Sequence, residues 1–284
     1  MFRILDKQDL TPVLRMYVME ASEIAHKAQP GQFVIVRLDE EGERIPLTIA
    51  DFDRQAGTVT LVVQEVGAST RQMGLLQAGD TMRDLVGPLG RPSEIENYGT
   101  VVCVGGGVGI APIYPIARAL KEHGNRLVSI IGARSENLLF WEDKMRAISD
   151  ELVVCTDDGS YGRFALVPAP LKELLESGRR VDLAFAVGPA IMMKFCCKTT
   201  QPFAVKTLVS INSIMVDGTG MCGACRVSVD GKTRFACVDG PDFDGHLVDW
   251  ELLLERQRQY LDEEKSAVGK FEHDHPGACL SPVS

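Results

Sequence analysis

The sequence predicts a multidomain β and α/β chain: an antiparallel β-barrel over residues 1–97, a parallel α/β domain over 98–207 and a small cysteine-bearing module over 208–248. A helix over 249–268 and a loose tail over 269–284 complete the expectation. Three observations predict it. Short β-rich segments between turn residues fill the first third, apolar strands alternate with helical stretches in the second, and a glycine-spaced run of cysteines follows.

In the first part, Phe33–Leu38, Gly57–Gln64 and Thr81–Gly87 are β-rich and bounded by Gly, Asp and Pro, while the alternation after Met1 starts a strand. Several strands at this spacing suit a small barrel. Arg44–Thr48 closes one strand, and Gly67–Thr70 opens a helix whose small residues suit a pyrophosphate. The plainer reading of Ser69 or Thr70 is an N-cap.

The second part starts with the continuous apolar strand Val101–Val104, followed by the turn Gly105, Gly106, Gly107, Val108, Gly109, Ile110, Ala111 and Pro112 and then a helix through Lys121. Glycines placed between a strand and a helix let the backbone approach a pyrophosphate at the positive end of the helix, or else serve close packing of the turn. The strict G-x-G-x-x-G pattern fails, because Pro112 stands near the third glycine position. Arg126–Gly132 is the next strand, Asn137–Ile148 the next helix, and Leu152–Thr156 and Asp182–Val187 continue the rhythm of a parallel sheet. Gly132–Ser135, Thr156–Ser160 and Val187–Met192 fall at strand ends, where ligands of open α/β sheets gather. Arg134 is placed to pair with a phosphate or to cap a turn, and Asp157 and Asp158 to hydrogen-bond ribose or to form an ordinary turn.

In the third part, Asp217, Cys222 and Cys225 stand at the spacing C-x4-C-x2-C with the first cysteine replaced by aspartate, and Cys237 follows after eleven intervening residues. That spacing holds plant-type 2Fe–2S clusters. Gly218, Gly220 and Gly223 lie between the candidate ligands and allow backbone N–H groups to reach the sulfides. The fourth ligand is Asp217, or else Asp217 caps the loop and Asp239 or Asp242 completes the set. A structural zinc site is the competing reading, with His246 nine residues after Cys237 as a poorly spaced fourth ligand.

The bulk composition sets bounds on these readings. A net charge of −9 leaves no surplus basic surface for nucleic acid, and 45% apolar residues fill sizeable cores in a chain of 284. No apolar run approaches the ~18 residues that span a bilayer. Eight scattered cysteines, without a signal-peptide pattern, fit a reducing compartment, so a cytoplasmic protein without membrane or nucleic-acid partners is expected. Cys196 and Cys197 read as core packing rather than a redox pair, and His273 and His275 as a solvated end rather than a metal site.

Together these features resemble the ferredoxin–NADP reductase superfamily, in the branch with an added C-terminal 2Fe–2S domain, over about residues 1–265. Within that branch the chain is similar to the electron-transfer subunit of two-component dihydroorotate dehydrogenases. It is also similar to the small subunit of the electron-bifurcating NADH-dependent reduced ferredoxin:NADP+ oxidoreductases, also described as a sulfide dehydrogenase subunit. Four features favour the second: Asp217 in place of a fourth cysteine, Ile45–Ile49 in place of an Arg-Pro-x-Ser, Ala186–Met193, and the helix Asp249–Tyr260.

The resemblance implies FAD in the barrel, against Pro46, Leu47, Thr48 and Gln64, with its pyrophosphate near Gly67, Ser69 and Thr70. It implies NAD(H) on Gly105–Pro112, with Gly188, Pro189 and Met192 near the nicotinamide, while Gly132, Arg134, Asp157 and Asp158 join the candidate set from their place at the strand ends. The hydride path lies near Thr48, Val187, Gly188 and Pro189. Two departures from the superfamily stand out: Leu47 where an aromatic often stacks on the flavin, with Arg44 displaced by one position, and Val187 in place of a cysteine.

The implied activity is that of an NAD(P)-dependent oxidoreductase subunit. Hydride passes between NAD(H) and FAD, and single electrons pass through the 2Fe–2S cluster to a partner. The implied partner is a larger flavin and 4Fe–4S subunit resembling the small subunit of glutamate synthase, with ferredoxin reached through it. The alternatives are the dihydroorotate-type subunit and, in a different class, a zinc-stabilised nucleotide-fold binding module.

Overall fold

The computed structural model describes residues 1–276. The barrel is a seven-stranded sheet built from β1 (Phe2–Thr11), β2 (Leu14–Glu20), β3 (Phe33–Arg37), β4 (Ile45–Asp53), β5 (Thr58–Gln64), β6 (Thr81–Met82) and β7 (Asp84–Leu89). Helix α1 (Ser22–Lys27) follows β2, and α2 (Ala68–Leu75) follows β5. The strand order is β6-β1-β2-β5-β4-β3-β7, with every pairing antiparallel. β6 and β7 are separated by Arg83 alone yet occupy opposite edges, so the sheet curls back on itself. The sequence reads Thr81–Gly87 as one strand; the chain instead breaks at Arg83 and closes the barrel there.

The second sheet contains β8 (Thr100–Gly106), β9 (Arg126–Ala133), β10 (Glu151–Thr156), β11 (Arg163–Phe164), β12 (Leu183–Val187) and β13 (Thr207–Ser210). The connecting helices are α3 (Ile110–Glu122), α4 (Glu142–Ile148), α5 (Pro168–Glu176) and α6 (Ala190–Thr200). The order β11-β10-β9-β8-β12-β13 is parallel throughout, and the direction of winding reverses between β8 and β12. β8 is buried from Val101 to Gly106, as its unbroken apolar run requires. The helix read over Asn137–Ile148 begins only at Glu142. Residues Glu136–Leu138 form a short 3-10 turn, and Trp141 takes a left-handed conformation (φ 54°) immediately before α4.

The cysteine module carries the hairpin β14 (Arg226–Val229) and β15 (Lys232–Phe235), the short helix α7 (Ala236–Asp239) and β16 (Asp242–Asp244). β16 joins the second sheet as its only antiparallel edge among the described residues, pairing with β13. The helix expected over 249–268 is two: α8 (Trp250–Gln257), capped by the Asp249 carboxylate accepting from the Leu252 N–H, and α9 (Leu261–Asp274). α9 runs past residue 268, so the start of the expected loose tail is helical. Phe271 is buried, and Glu272 pairs with Arg71 of α2 at 2.5 Å, which explains that extension. His273 and His275 are exposed, as expected, and the rest of the expected tail lies outside the described residues.

Two apolar cores join the parts. One places Val13, Leu14, Met16, Ala50 and Val62 of the barrel against Ile110, Ile113, Tyr114 and Ala117 of α3. The other places Phe33 and Ile35 of β3 with Met215, Cys225 and Cys237. The three parts therefore form a continuous body, with β3, β4 and α3 at its junctions.

Candidate functional site

Strand β4 changes partners midway. Ile45–Thr48 pair with β3, in the register Val36↔Ile45, Ile35↔Pro46, Val34↔Leu47 and Phe33↔Thr48. Pairing with β5 begins only at Ile49↔Leu61, although β5 continues to Gln64. A slot therefore opens between Pro46–Thr48 and the end of β5, and Pro46, Leu47 and Thr48 are only partly buried beside it. At the far end of β5 the chain turns into α2. There the Thr70 hydroxyl accepts from the N–H groups of Gly67 and Val66 at 3.0 Å each, and the Ser69 hydroxyl donates to Glu43 at 2.5 Å. Gly67 is the N-cap of α2, so Ser69 and Thr70 lie inside the helix and neither is the N-cap; Thr70, at the third helical position, reaches back to the backbone that enters the helix.

The second element of the site lies where the winding reverses, the position at which open α/β sheets bind ligands. Gly105 pairs with Val187 across β8 and β12, so both loops leave the sheet side by side. A Cβ on Gly109 would stand 2.2 Å from the Val187 carbonyl oxygen, and one on Gly106 would stand 2.2 Å from Met192 Sδ. Gly107 has φ +54° with open space where a Cβ would point. Two of these glycines thus permit close packing and the third leaves the turn open for a ligand. Pro112 occupies the first turn of α3, where its missing N–H is harmless.

Gly132, grouped with these by sequence, has a packing reason: a Cβ there would meet Val167 at 2.5 Å and Cys155 Sγ at 3.0 Å. Arg134 and Asp157 are neighbours at the ends of β9 and β10. Burial raises the Asp157 pKa against the opposing pull of the Arg134 charge. Asp158 accepts from the Ser160 N–H and hydroxyl, which lower its pKa.

The cysteine loop is the third element. Cys225 and Cys237 are buried with their sulfurs 3.1 Å apart, and the Cys237 N–H donates to Cys225 Sγ at 3.5 Å. Burial, with Cys225 beside it, pushes the Cys237 thiol up to about 12. Cys222 is exposed at the loop's tip, and N–H groups of Ala224 and then Asp217 hold its thiol below the ordinary range. The Thr219 hydroxyl, donating to Asp217, keeps that carboxyl low and ionised. Gly218, Gly220 and Gly223 all have positive φ (79°, 85° and 69°), a conformation that favours glycine at each of these turns of the loop.

This donor set fits an iron–sulfur cluster: three thiols without a disulfide, one ionised carboxylate, and N–H groups directed at sulfur. Among the described residues no three His, Cys, Asp or Glu side chains converge on one point, the four candidate ligands included: Cys225 and Cys237 are in contact, while Cys222 stands exposed at the loop's tip. His246 points elsewhere, with its Nε2 2.9 Å from the Thr200 hydroxyl. Asp239 accepts the Phe235 N–H at 2.8 Å, and Asp242 accepts from the Ser93 hydroxyl at 2.5 Å.

The loop also lies on the barrel. A Cβ on Gly218 would sit 2.7 Å from Ile35 Cγ1 and 2.9 Å from Leu89 Cδ1. Ile35 is itself the register partner of Pro46, so one strand separates the cysteine loop from the slot. Neighbouring strands lie about 5 Å apart. Asp51 and Arg118, which bridge the barrel and α3 at 2.9 Å, are absent from the sequence-based set. They lie 67 residues apart with no local pattern to link them.

The family model for the iron–sulfur cluster binding domain of dihydroorotate dehydrogenase B matches residues 212–249. The chain is 52% identical over 253 residues to a Thermotoga maritima protein named dihydroorotate dehydrogenase B (NAD(+)), electron transfer subunit homolog, covering 89% of each. It is 33% identical over 236 residues to the electron transfer subunit of that enzyme from Shouchella clausii, covering 80% of this chain and 88% of the relative. Among solved structures it superposes with a TM-score of 0.90 on a chain of the NADH-dependent reduced ferredoxin-NADP oxidoreductase, a structure described for flavin-based electron bifurcation. That match has 49% identity and covers 95% of this chain and 97% of the other.

Proposed function

The chain belongs to the family of dihydroorotate dehydrogenase B electron transfer subunits, and from that membership we propose that it is an NAD(P)-dependent oxidoreductase subunit. In this reading residues 1–97 hold FAD, 98–207 hold NAD(H) and 208–248 hold a 2Fe–2S cluster. The chemistry these groups supply when bound is transfer of hydride, two electrons with one proton, between nicotinamide and flavin, and single-electron passage to the iron–sulfur core.

The contribution of the chain is placement. Pro46, Leu47, Thr48 and Gln64 flank the slot for the flavin edge, and the start of α2 at Gly67–Thr70 offers its positive end to the diphosphate. Gly105, Gly106, Gly107, Val108 and Gly109 form the dinucleotide turn, and Val187, Gly188, Pro189 and Met192 close its side. Asp217, Cys222, Cys225 and Cys237 supply the cluster ligands. A carboxylate is a harder, less covalent ligand than a thiolate and alters the electronic structure of the iron it holds.

The observation that carries this reading is Ile35, whose side chain touches the cysteine loop at Gly218 and whose backbone pairs with Pro46. That contact would place the two bound groups about one strand apart, which suits electron passage between them.

The electrons leave through a partner subunit. A larger flavin and 4Fe–4S subunit of the bifurcating ferredoxin:NADP+ type is favoured by Asp217, which stands where a fourth cysteine completes the usual plant-type spacing, and by the structural similarity. The relatives' names favour a dihydroorotate-oxidising partner instead. Co-purification separates the two.

The test of the site is iron, acid-labile sulfide, zinc and released flavin per chain, on protein purified without oxygen. About two irons, two sulfides and one FAD are expected. Asp217→Cys is expected to keep the iron while changing the cluster's electron paramagnetic resonance. Zinc without sulfide or flavin contradicts the reading.

A further inference from the structure

The two elements that carry the flavin slot and the dinucleotide turn are also the two that touch across the domain boundary. β4 holds Pro46–Thr48 at its start and Asp51 three residues later. α3 starts at the glycine turn and carries Arg118 nine residues beyond Gly109, about 13 Å along a helix. Arg118 Nη2 lies 2.9 Å from one Asp51 oxygen, and Lys144 Nζ, on α4, lies 3.8 Å from the other. The Asp51 and Arg118 side chains are 20% and 28% exposed, so water and salt screen the pair less than they would a surface pair.

Burial works against the charge of Arg118, and Asp51 outweighs it and raises the guanidinium pKa. Aromatic faces hold both cations in place. Arg118 lies 5.3 Å from the Tyr114 ring centroid and 6.0 Å from that of Phe52, and Lys144 lies 4.2 Å from Trp141 and 5.2 Å from Tyr114. Beneath this cluster runs the apolar seam of Ala50 and Val62 against Ile113 and Ala117. An apolar seam is non-directional and tolerates sliding, whereas one carboxylate held by two cations from two helices fixes a register.

We propose that Asp51 is a positioning residue. By anchoring α3 and α4 to β4, it sets where the glycine turn, and the nicotinamide bound on it, stands relative to the flavin edge at Pro46–Thr48. The inference rests on the two cofactor sites proposed above.

The test compares Asp51→Asn and Arg118→Gln in the full chain, with Lys121→Gln as control, because its ion-pair partner Asp150 lies within the dinucleotide domain. FAD and iron per chain are measured first; both are expected to be unchanged in all three variants. In rapid mixing with NADH, the limiting rate of flavin reduction should fall about tenfold or more in the Asp51 and Arg118 variants, since small misplacements of reacting groups cost that much or more. The NADH dissociation constant should change by less than about threefold on the same argument, because placement rather than binding is lost. The charge-transfer absorption between nicotinamide and flavin should weaken, and amide exchange over residues 49–53 should quicken. The control should match the unsubstituted chain.

An unchanged limiting rate and charge-transfer band in a flavin-loaded Asp51→Asn or Arg118→Gln chain overturns the clamp alone. Absence of FAD from the unsubstituted chain overturns the cofactor reading and the clamp with it. Should Asp51→Asn fold poorly, Arg118→Gln decides by itself.

Discussion

Gly109 shows how closely one residue is constrained by its surroundings. Its α-carbon faces the Val187 carbonyl so closely that an added methyl would stand 2.2 Å from the oxygen and 2.7 Å from Gly188 Cα. Gly109→Ala must push the turn of β8 away from that of β12, and both turns line the proposed dinucleotide cleft. We expect NADH affinity to fall about tenfold or more, equivalent to about 1.4 kcal/mol, while FAD and iron contents stay unchanged. Isothermal titration with NADH checks this, and unaltered affinity would remove Gly109 from the site. The glycine run itself was legible in the sequence between an apolar strand and a helix, but the close approach of Gly109 to Val187 was not. Gly132 was not separable in the same way: its glycine answers to Val167 and Cys155, packing partners that sequence proximity does not reveal.

At the scale of elements, β16 is the clearest case of a segment whose role depends on distant partners. It pairs with β13 and places Asp242 against the linker that leaves the barrel, where the Ser93 hydroxyl donates to one carboxylate oxygen and the other is buried without a partner. Burial pushes the Asp242 pKa up to about 6. The folded chain therefore holds a proton there that the unfolded chain releases at lower pH. Stability is lost as pH rises from the unfolded carboxylate value, about 3.9, to about 6. Asp242→Asn should remove that loss. Its melting temperature should equal or exceed that of the unsubstituted chain at pH 7.5, and the difference between the two chains should shrink on going to pH 5. A variant less stable at pH 7.5 would show instead that the ionised carboxylate is a favourable partner.

The elements least legible in the sequence are those set by tertiary contact. The break at Arg83 arises from barrel closure, and α9 reaches Asp274 because Phe271 and Glu272 dock on α2. The late start of α4 follows the left-handed Trp141, whose ring packs on Phe140 and Tyr114. None of these contacts has a local signature. The alternation of strands and helices in the second sheet, by contrast, was readable because burial on both faces demands unbroken apolar runs such as Val101–Val104.

Across the whole molecule, the three parts are arranged so that β3 lies between the slot and the cysteine loop, while β4 and α3 join the slot to the dinucleotide turn. The sequence supplied the three centres separately, each from a local motif. Their adjacency came only from the fold, through residues such as Ile35, Gly218, Asp51 and Arg118 that carry no motif of their own. Among the described residues no helix is long and apolar enough to cross a membrane.

On the proposed function, one chain accepts electrons from NADH and delivers them to its own cluster. An anaerobic titration of the purified chain with NADH, followed by visible absorption and electron paramagnetic resonance, tests it most directly. Flavin bleaching is expected together with the signal of a reduced 2Fe–2S centre, approaching about one spin per chain at excess NADH or on further reduction with dithionite. Bleaching with no cluster signal under either reductant, or no bleaching at all in a chain that contains FAD, would contradict it.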